Sequence, residues 1–228
     1  MILQGTLVNI AAIAIGCLIG RLCGRLISEK TRLTIMAGLG LAVLLIGMQL
    51  SLQSRQPLIV IGALIGGGLG GEVLGIETRL ENFGLFLQRR FSGSGQIAKG
   101  FVTASLIYCV GAMAIMGSIQ DGLGGRPTIL YAKAALDGIA SVALTSTLGI
   151  GVLFSIIPLT LYQGTITLFA GLAKTILTDP VVVEMNAVGG LLICAIALDL
   201  LSIKRLPIGN LLPGIFIVPA LMWIFGMA

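Results

Sequence analysis

Lys133 to Thr147, KAALDGIASVALTST, is the stretch on which the reading of the whole chain turns. It lies inside a long apolar run, yet it carries Lys133, Asp137, Ser141 and Thr145 at spacings of four. With 3.6 residues per turn, these positions drift by only about 40° per step, so they line one side of a helix. A Lys or Asp at the middle of a bilayer costs about 2.5–3.5 kcal/mol on insertion scales. Such residues face partners, water or a substrate pathway. The stripe is therefore the candidate functional centre of a helical membrane bundle. Its structural alternative is a buried pair in which Lys133 and Asp137 neutralise each other.

Composition agrees with that class. The chain is 57% hydrophobic and 10% charged, contains no His and has a mean hydropathy of +1.09, whereas soluble domains are about 25% charged. The expected fold is all-α, a polytopic transmembrane helix bundle filling residues 1–228 as one membrane domain. The 33 glycines fall within apolar runs, where they suit close helix packing. The net charge of +5 does not indicate nucleic acid, because basic residues beside spans are what the positive-inside rule expects. No basic residue precedes the first apolar run, whereas Arg21, Arg25, Lys30 and Arg32 follow it. That polarity is opposite to a signal peptide and predicts a retained helix with an outside N-terminus. Cys17, Cys23, Cys109 and Cys194 show neither a disulfide framework nor a zinc pattern.

Apolar runs of crossing length, about 20 residues, occur at 3–24, 33–52, 57–75, 98–119, 128–149, 153–176, 184–203 and 207–227. They predict eight spans, with the break at Gly149-Ile150-Gly151 the tightest. Alternate loops divide the basic residues unevenly. One side collects Arg21, Arg25, Lys30, Arg32, Arg79, Arg89, Arg90, Lys99, Lys204 and Arg205, and the other only Arg55, Arg126 and Lys174. This asymmetry puts the loops after spans one, three, five and seven in the cytoplasm and both termini outside. From Ile76 to Phe91, apolar and charged positions alternate as in an amphipathic cytoplasmic connector, either on the membrane surface or packed on the protein.

The chain also resembles itself. A shift of 150 without a gap aligns Ala37, Gly40, Leu41, Ile46, Leu50, Arg55, Pro57 and Ile65 with Ala187, Gly190, Leu191, Ile196, Leu200, Arg205, Pro207 and Ile215. The triplet QGT recurs at Gln4 and Gln163. Residues 1–75 thus form a first repeat and 153–228 a second, flanking the connector at 76–97 and two central helices at 98–152. Five spans separate equivalent members, an odd number, so the repeats are inverted.

Further candidates for a substrate or ion site are Asn9, Gln49, Gln163, Thr165, Thr167, Asn186, Asp199 and Asp121. Gln49 and Asp199 are repeat equivalents, though Asp199 also lies near Lys204 and Arg205. Asp121, in GSIQDGLGG, reads first as a turn or capping residue. Gly62, Gly66 and Gly70 form a tandem small-residue series suited to helix packing within a bundle or between subunits, and a homodimer is expected. It is not a phosphate loop, since no Lys-Ser/Thr follows it. No catalytic constellation, ATP-binding motif or cofactor motif is present, so the chain is not expected to be an enzyme.

The segments KGFVTASLIYCVGAMAIMGSIQDGLGG (99–125), LYAKAALDGIASVALTSTLGIGVLFSIIPLTLYQGTITL (130–168), NAVGGLLICAIALDL and IKRLPIGNLLP (186–213) carry a family resemblance. They resemble the bacterial membrane family called domain of unknown function 554, of the YqgA/YdfK type, over nearly the whole chain. The resemblance implies a multi-pass protein of the bacterial inner membrane, often described as a transporter, with no substrate to carry onto residues. The favoured function is a secondary transporter of a small solute or ion, driven by a sodium or proton gradient if active. An ion channel and a non-transporting scaffold or regulatory protein are the alternatives. The metal preference of any ion site is left open.

Overall fold

A computed structural model describes residues 3–24, 28–80, 82, 86 and 97–227. The elements are α1 (Gln4–Gly24), α2 (Glu29–Ser51), α3 (Pro57–Leu74), α4 (Ile97–Cys109), α5 (Ala112–Gly122), α6 (Thr128–Leu148), a 3-10 segment (Ile150–Ser155), α7 (Ile156–Leu168), α8 (Ala170–Ile176), α9 (Asp179–Leu200), α10 (Ile208–Leu211) and α11 (Pro213–Ile224). No strand occurs among the described residues. Among the described residues, six helical segments are long and apolar enough to cross a membrane, or seven if α4 and α5 are one bent span; Ile208–Ile224 is a shorter apolar helix. Residues 76–80 continue as helix, but most of the amphipathic connector read over Ile76–Phe91 lies outside the described residues.

Helix occupies the described part of each apolar run, and the run at 98–119 differs in form. The run at 98–119 is two helices bent by 62°, and the hinge holds Gly111 at φ 131°, ψ 144°. That conformation is open to glycine and costly for other residues. The break at 149–151 also exists: α6 ends at Gly149, φ 80°, and the chain turns through the 3-10 segment before α7.

By its contacts the chain divides into two units. The first comprises Met1–Met36 and Phe83–Lys174. Here α1 and α6 lie side by side in the same direction. Gly5 faces Leu130, and a Cβ on Gly16 would strike the Gly138 carbonyl. One on Gly20 would stand 2.5 Å from the Val142 oxygen, and one on Gly24 2.9 Å from that of Ser146. The Gly16, Gly20 and Gly24 series thus lays one backbone against another. Helix α4 runs opposite to α6. Its first residue, Ile97, touches Gly151, while Tyr108 near its end reaches Ser141. Helix α5 continues past the hinge until Gly122 abuts the Thr167 carbonyl near the end of α7. Since Gly151, in the 3-10 segment that leads into α7, lies against Ile97, α4–α5 and α7 run alongside in one direction.

The second unit comprises Ala37–Asn82 and Thr175–Ala228. In it α2 and α9 are antiparallel: a Cβ on Gly40 would meet Leu201 at 2.8 Å, and one on Gly190 would meet Ser51 N at 2.7 Å. Helix α3 is antiparallel to α10 and α11, with Gly71 against Asn210 and Gly67 against Gly214. The close approach therefore uses Gly67 and Gly71 rather than the Gly62, Gly66 and Gly70 series. A Cβ on Gly70 would meet nothing within 4 Å, and one on Gly66 would make only an ordinary contact with Ile217, at 3.7 Å. A one-residue offset turns the facing side by about 100°, and the sequence GALIGGGLGG offers both faces.

Candidate functional site

Helix α6 brings Lys133, Asp137 and Ser141 into the interior of the first unit, at 6%, 5% and 0% exposure. Lys133 Nζ lies 3.0 and 2.8 Å from the two Asp137 carboxylate oxygens. Asn9 on α1 donates from Nδ2 to Asp137 Oδ2 at 2.9 Å. Both contacts of Lys133 go to one carboxylate, so at least one of its three ammonium donors is left over among the described residues. One turn further, Ser141 Oγ donates to the Asp137 backbone oxygen at 2.7 Å. A hydroxyl has one proton, so the 2.7 Å contact between Ser141 Oγ and Tyr108 Oη is donated by the tyrosine. The pair is neutral as a whole, and the cluster of Asn9, Tyr108, Lys133, Asp137 and Ser141 draws on three helices.

Tyr108 stands two residues before the hinge between α4 and α5. At such a break the last carbonyls of one half-helix and the first N–H groups of the next lack partners in their own helix. Gly111, at the N-cap of α5, supplies no side chain to satisfy them. In membrane proteins, irregular backbone of this kind is tolerated where it is buried in protein or lines a polar cavity. The hinge adjoins the residue that is bonded to Ser141, one turn from Asp137.

Of the other candidate residues, Thr145 is buried on the next turn of α6, beside Gly20. Gln163 and Thr167 are buried on α7, at 0% and 2% exposure, and neither amide atom of Gln163 nor the Thr167 hydroxyl has a partner among the described residues. Thr165 is exposed. Asp121 lies in the last turn of α5 rather than in a following turn, and its carboxylate accepts the Gly5 N–H at 3.0 Å. It caps the first turn of α1, where backbone donors lack helical partners, not its own region of the chain. Gln49 is exposed on α2, while Asn186 and Asp199 belong to α9 in the second unit.

Sequence reading missed Tyr108 and a set of carboxylates in the second unit. Glu184, 1% exposed, accepts from Ser54 Oγ at 2.6 Å, Arg55 N at 2.7 Å and Gln56 N at 3.0 Å, holding the turn before α3. Glu77 accepts the Gly209 N–H at 2.7 Å and lies 3.8 Å from the Arg205 guanidinium. Asn210 accepts the Glu77 N–H at 2.8 Å and donates to Glu72. The signal available was the pair Arg55-x-Pro57 and Arg205-x-Pro207: turns at span ends leave N–H groups that a carboxylate can satisfy.

An all-helical chain with several membrane-length apolar helices and a buried, hydrogen-bonded ion pair is a multi-pass membrane protein. It belongs to the family described as "Protein of unknown function (DUF554)", whose model matches residues 4–223. It is 33% identical over 224 residues to the uncharacterized membrane protein YdfK of Bacillus subtilis (strain 168), covering 96% of each chain. It is 30% identical over 220 residues to the uncharacterized protein YqgA of Escherichia coli (strain K12), covering 93% of each. No solved structure matches it.

Proposed function

We propose that this protein is a secondary transporter of a small solute or ion, built from two inverted repeats, with its polar site at Asp137, Lys133, Asn9, Ser141 and Tyr108. The observation that carries the reading is the bonded Lys133–Asp137–Asn9 cluster placed next to a broken helix, the arrangement in which transporters hold a substrate between half-helices. Burying two charges is a poor way to stabilise a helix, and Lys133 lies N-terminal to Asp137, the weaker order for an i,i+4 pair.

Helix directions support eight spans and the inverted repeat. An eight-span chain runs its first and fifth spans in the same direction, as α1 and α6 run. It opposes the second to the seventh and the third to the eighth, as α2 opposes α9 and α3 opposes α10–α11. If α4–α5 did not cross, α6 would run against α1. The contacts within the second unit also fit the 150-residue shift: exchanging the repeats turns the Gly40–Leu201 pair into Ser51–Gly190, and both approaches occur. The protein would lie in the bacterial inner membrane with both termini outside, act without a cofactor and perform no catalysis. A homodimer would use the open Gly66 and Gly70 side of α3.

A non-transporting scaffold is the second reading, favoured by the fact that Lys133 and Asp137 satisfy each other. Water accessibility separates the two. Single cysteines at Asn9 and Ser141 in an otherwise Cys-free protein are expected to react with a membrane-impermeant thiol reagent from one side at a time; protection from both sides under every gradient rejects transport.

A further inference from the structure

A second polar cluster adjoins the first on the side of the α1 N-terminus. Asp121 is 2% exposed and bonded to the Gly5 N–H. The described ion pairs are Lys133–Asp137 and Arg205–Glu77, so no cation pairs with Asp121 among them, and Arg126, five residues on, is exposed. In the same unit, Thr6 Oγ1, Ser118 Oγ, Thr167 Oγ1, both amide atoms of Gln163 and Asn9 Oδ1 are buried and have no hydrogen-bond partner among the described residues.

Their placement follows from the packing. Gly5, next to Thr6, is bonded to Asp121, and the following residue, Gly122, abuts Thr167. Since α5 and α7 run in the same direction, Ser118 and Gln163 each fall one turn before that contact along their own helices. A Cβ on Gly164 would lie 3.8 Å from the Leu3 side chain, which brings the start of α1 to the same stretch of α7. Asn9 belongs to both clusters: its Nδ2 donates to Asp137, and its Oδ1 is left over.

We propose that these side chains form a site for a dehydrated alkali-metal cation. One carboxylate with hydroxyl and amide oxygens is a hard, oxygen-only donor set, and its net charge of one is neutralised by a monovalent ion. The buried carboxylate disfavours an anion. Among the described residues no group of three acidic, His or Cys side chains exists to hold a multivalent metal. A cation here would engage Asn9 Oδ1 while Asn9 Nδ2 holds Asp137, so occupancy would bear directly on the Lys133–Asp137 pair. Its use as the coupling ion rests on the transporter reading; the binding itself does not.

The test is thermal unfolding of the detergent-purified protein in choline chloride, with sodium or potassium substituted at constant ionic strength, together with equilibrium binding of radioactive sodium. Sodium or potassium is expected to raise the melting temperature saturably above choline. Thr167→Val and Ser118→Ala are each expected to weaken the apparent affinity about tenfold or more. Asp121→Asn keeps an acceptor for Gly5 and is expected to abolish the ion effect. Identical curves in sodium, potassium and choline mean that water alone fills the site and overturn the proposal. So does an ion effect that all three folded variants retain. Cation binding without solute flux would leave this site standing and remove the transporter reading, whereas saturable cation binding with flux indifferent to alkali cations would remove only the site's use as the coupling ion.

Discussion

Asp137 holds Lys133 with both carboxylate oxygens and Asn9 with one of them, and this sets what its substitution should do. Asp137→Asn leaves Lys133 charged and unpaired in the interior, a change that costs about 3–5 kcal/mol in buried pairs. The double variant Lys133→Gln/Asp137→Asn removes both charges and is expected to recover most of that loss. Flux should not return with it if the pair is the transport site. A double-mutant cycle read by thermal unfolding, with proteoliposome flux on the folded variants, separates the roles. A double variant that transports like the wild type would make the pair purely structural. Tyr108→Phe should be milder, removing one donor from Ser141 at a cost of about 1 kcal/mol. Lys133, Asp137 and Asn9 were legible because a charge or amide in an apolar run has few cheap environments. Tyr108 was not, since a tyrosine ring is at home in such a run and only its hydroxyl marks it. Glu184 escaped notice for a related reason: at the start of an apolar run it reads as a solvated residue, yet it is buried under the turn it holds.

Elements were legible by length and hydropathy, but not the faces they turn to each other. The series at Gly16, Gly20, Gly24 and at Gly62, Gly66, Gly70 have the same spacing, and only the first meets a neighbouring backbone at each step. Which glycine face is used depends on helix rotation, which is set by partners distant in sequence. Gly20→Leu is therefore expected to separate α1 from α6 and to abolish folding, since its side chain would enter the Val142 carbonyl. Gly70→Ala should change stability by less than about 0.5 kcal/mol, the range for uncrowded surface positions, or raise it through helix propensity. Detergent-solubilised yield and melting temperature report both. The hinge was illegible for a different reason: in so glycine-rich a chain, Gly111 carries no distinguishing mark until its φ is known. Gly111→Ala should cost about 1–3 kcal/mol of strain and, by favouring a straight helix, should impair flux more than the similarly sized Gly171→Ala.

For the whole molecule, the question is how many times the chain crosses the bilayer, and the weakest member of any count is the bent pair α4–α5. A re-entrant hairpin and a crossing helix can share the same 62° bend, so the bend alone decides nothing. The neighbours are more informative. Ile97 at the start of α4 lies beside Gly151, at the far end of α6, while Asp121 near the end of α5 is bonded to Gly5, beside the start of α6. The pair thus runs the length of the 21-residue helix α6, about 30 Å at 1.5 Å per residue, which is the thickness of the hydrocarbon core. Crossing by α4–α5 also preserves the excess of basic residues on one side, since Lys99 and Arg126 then fall on opposite faces. Glycosylation or alkaline-phosphatase reporters at Met1, Gly124 and Ala228 are accordingly expected outside, and cysteine labels at Arg90, Lys99 and Arg205 in the cytoplasm. Gly124 and Lys99 reporting the same side would make α4–α5 re-entrant, and the first and sixth spans would then share an orientation. That single result would remove the inverted repeat and leave the transporter reading resting on the Asp137 cluster and the broken helix alone.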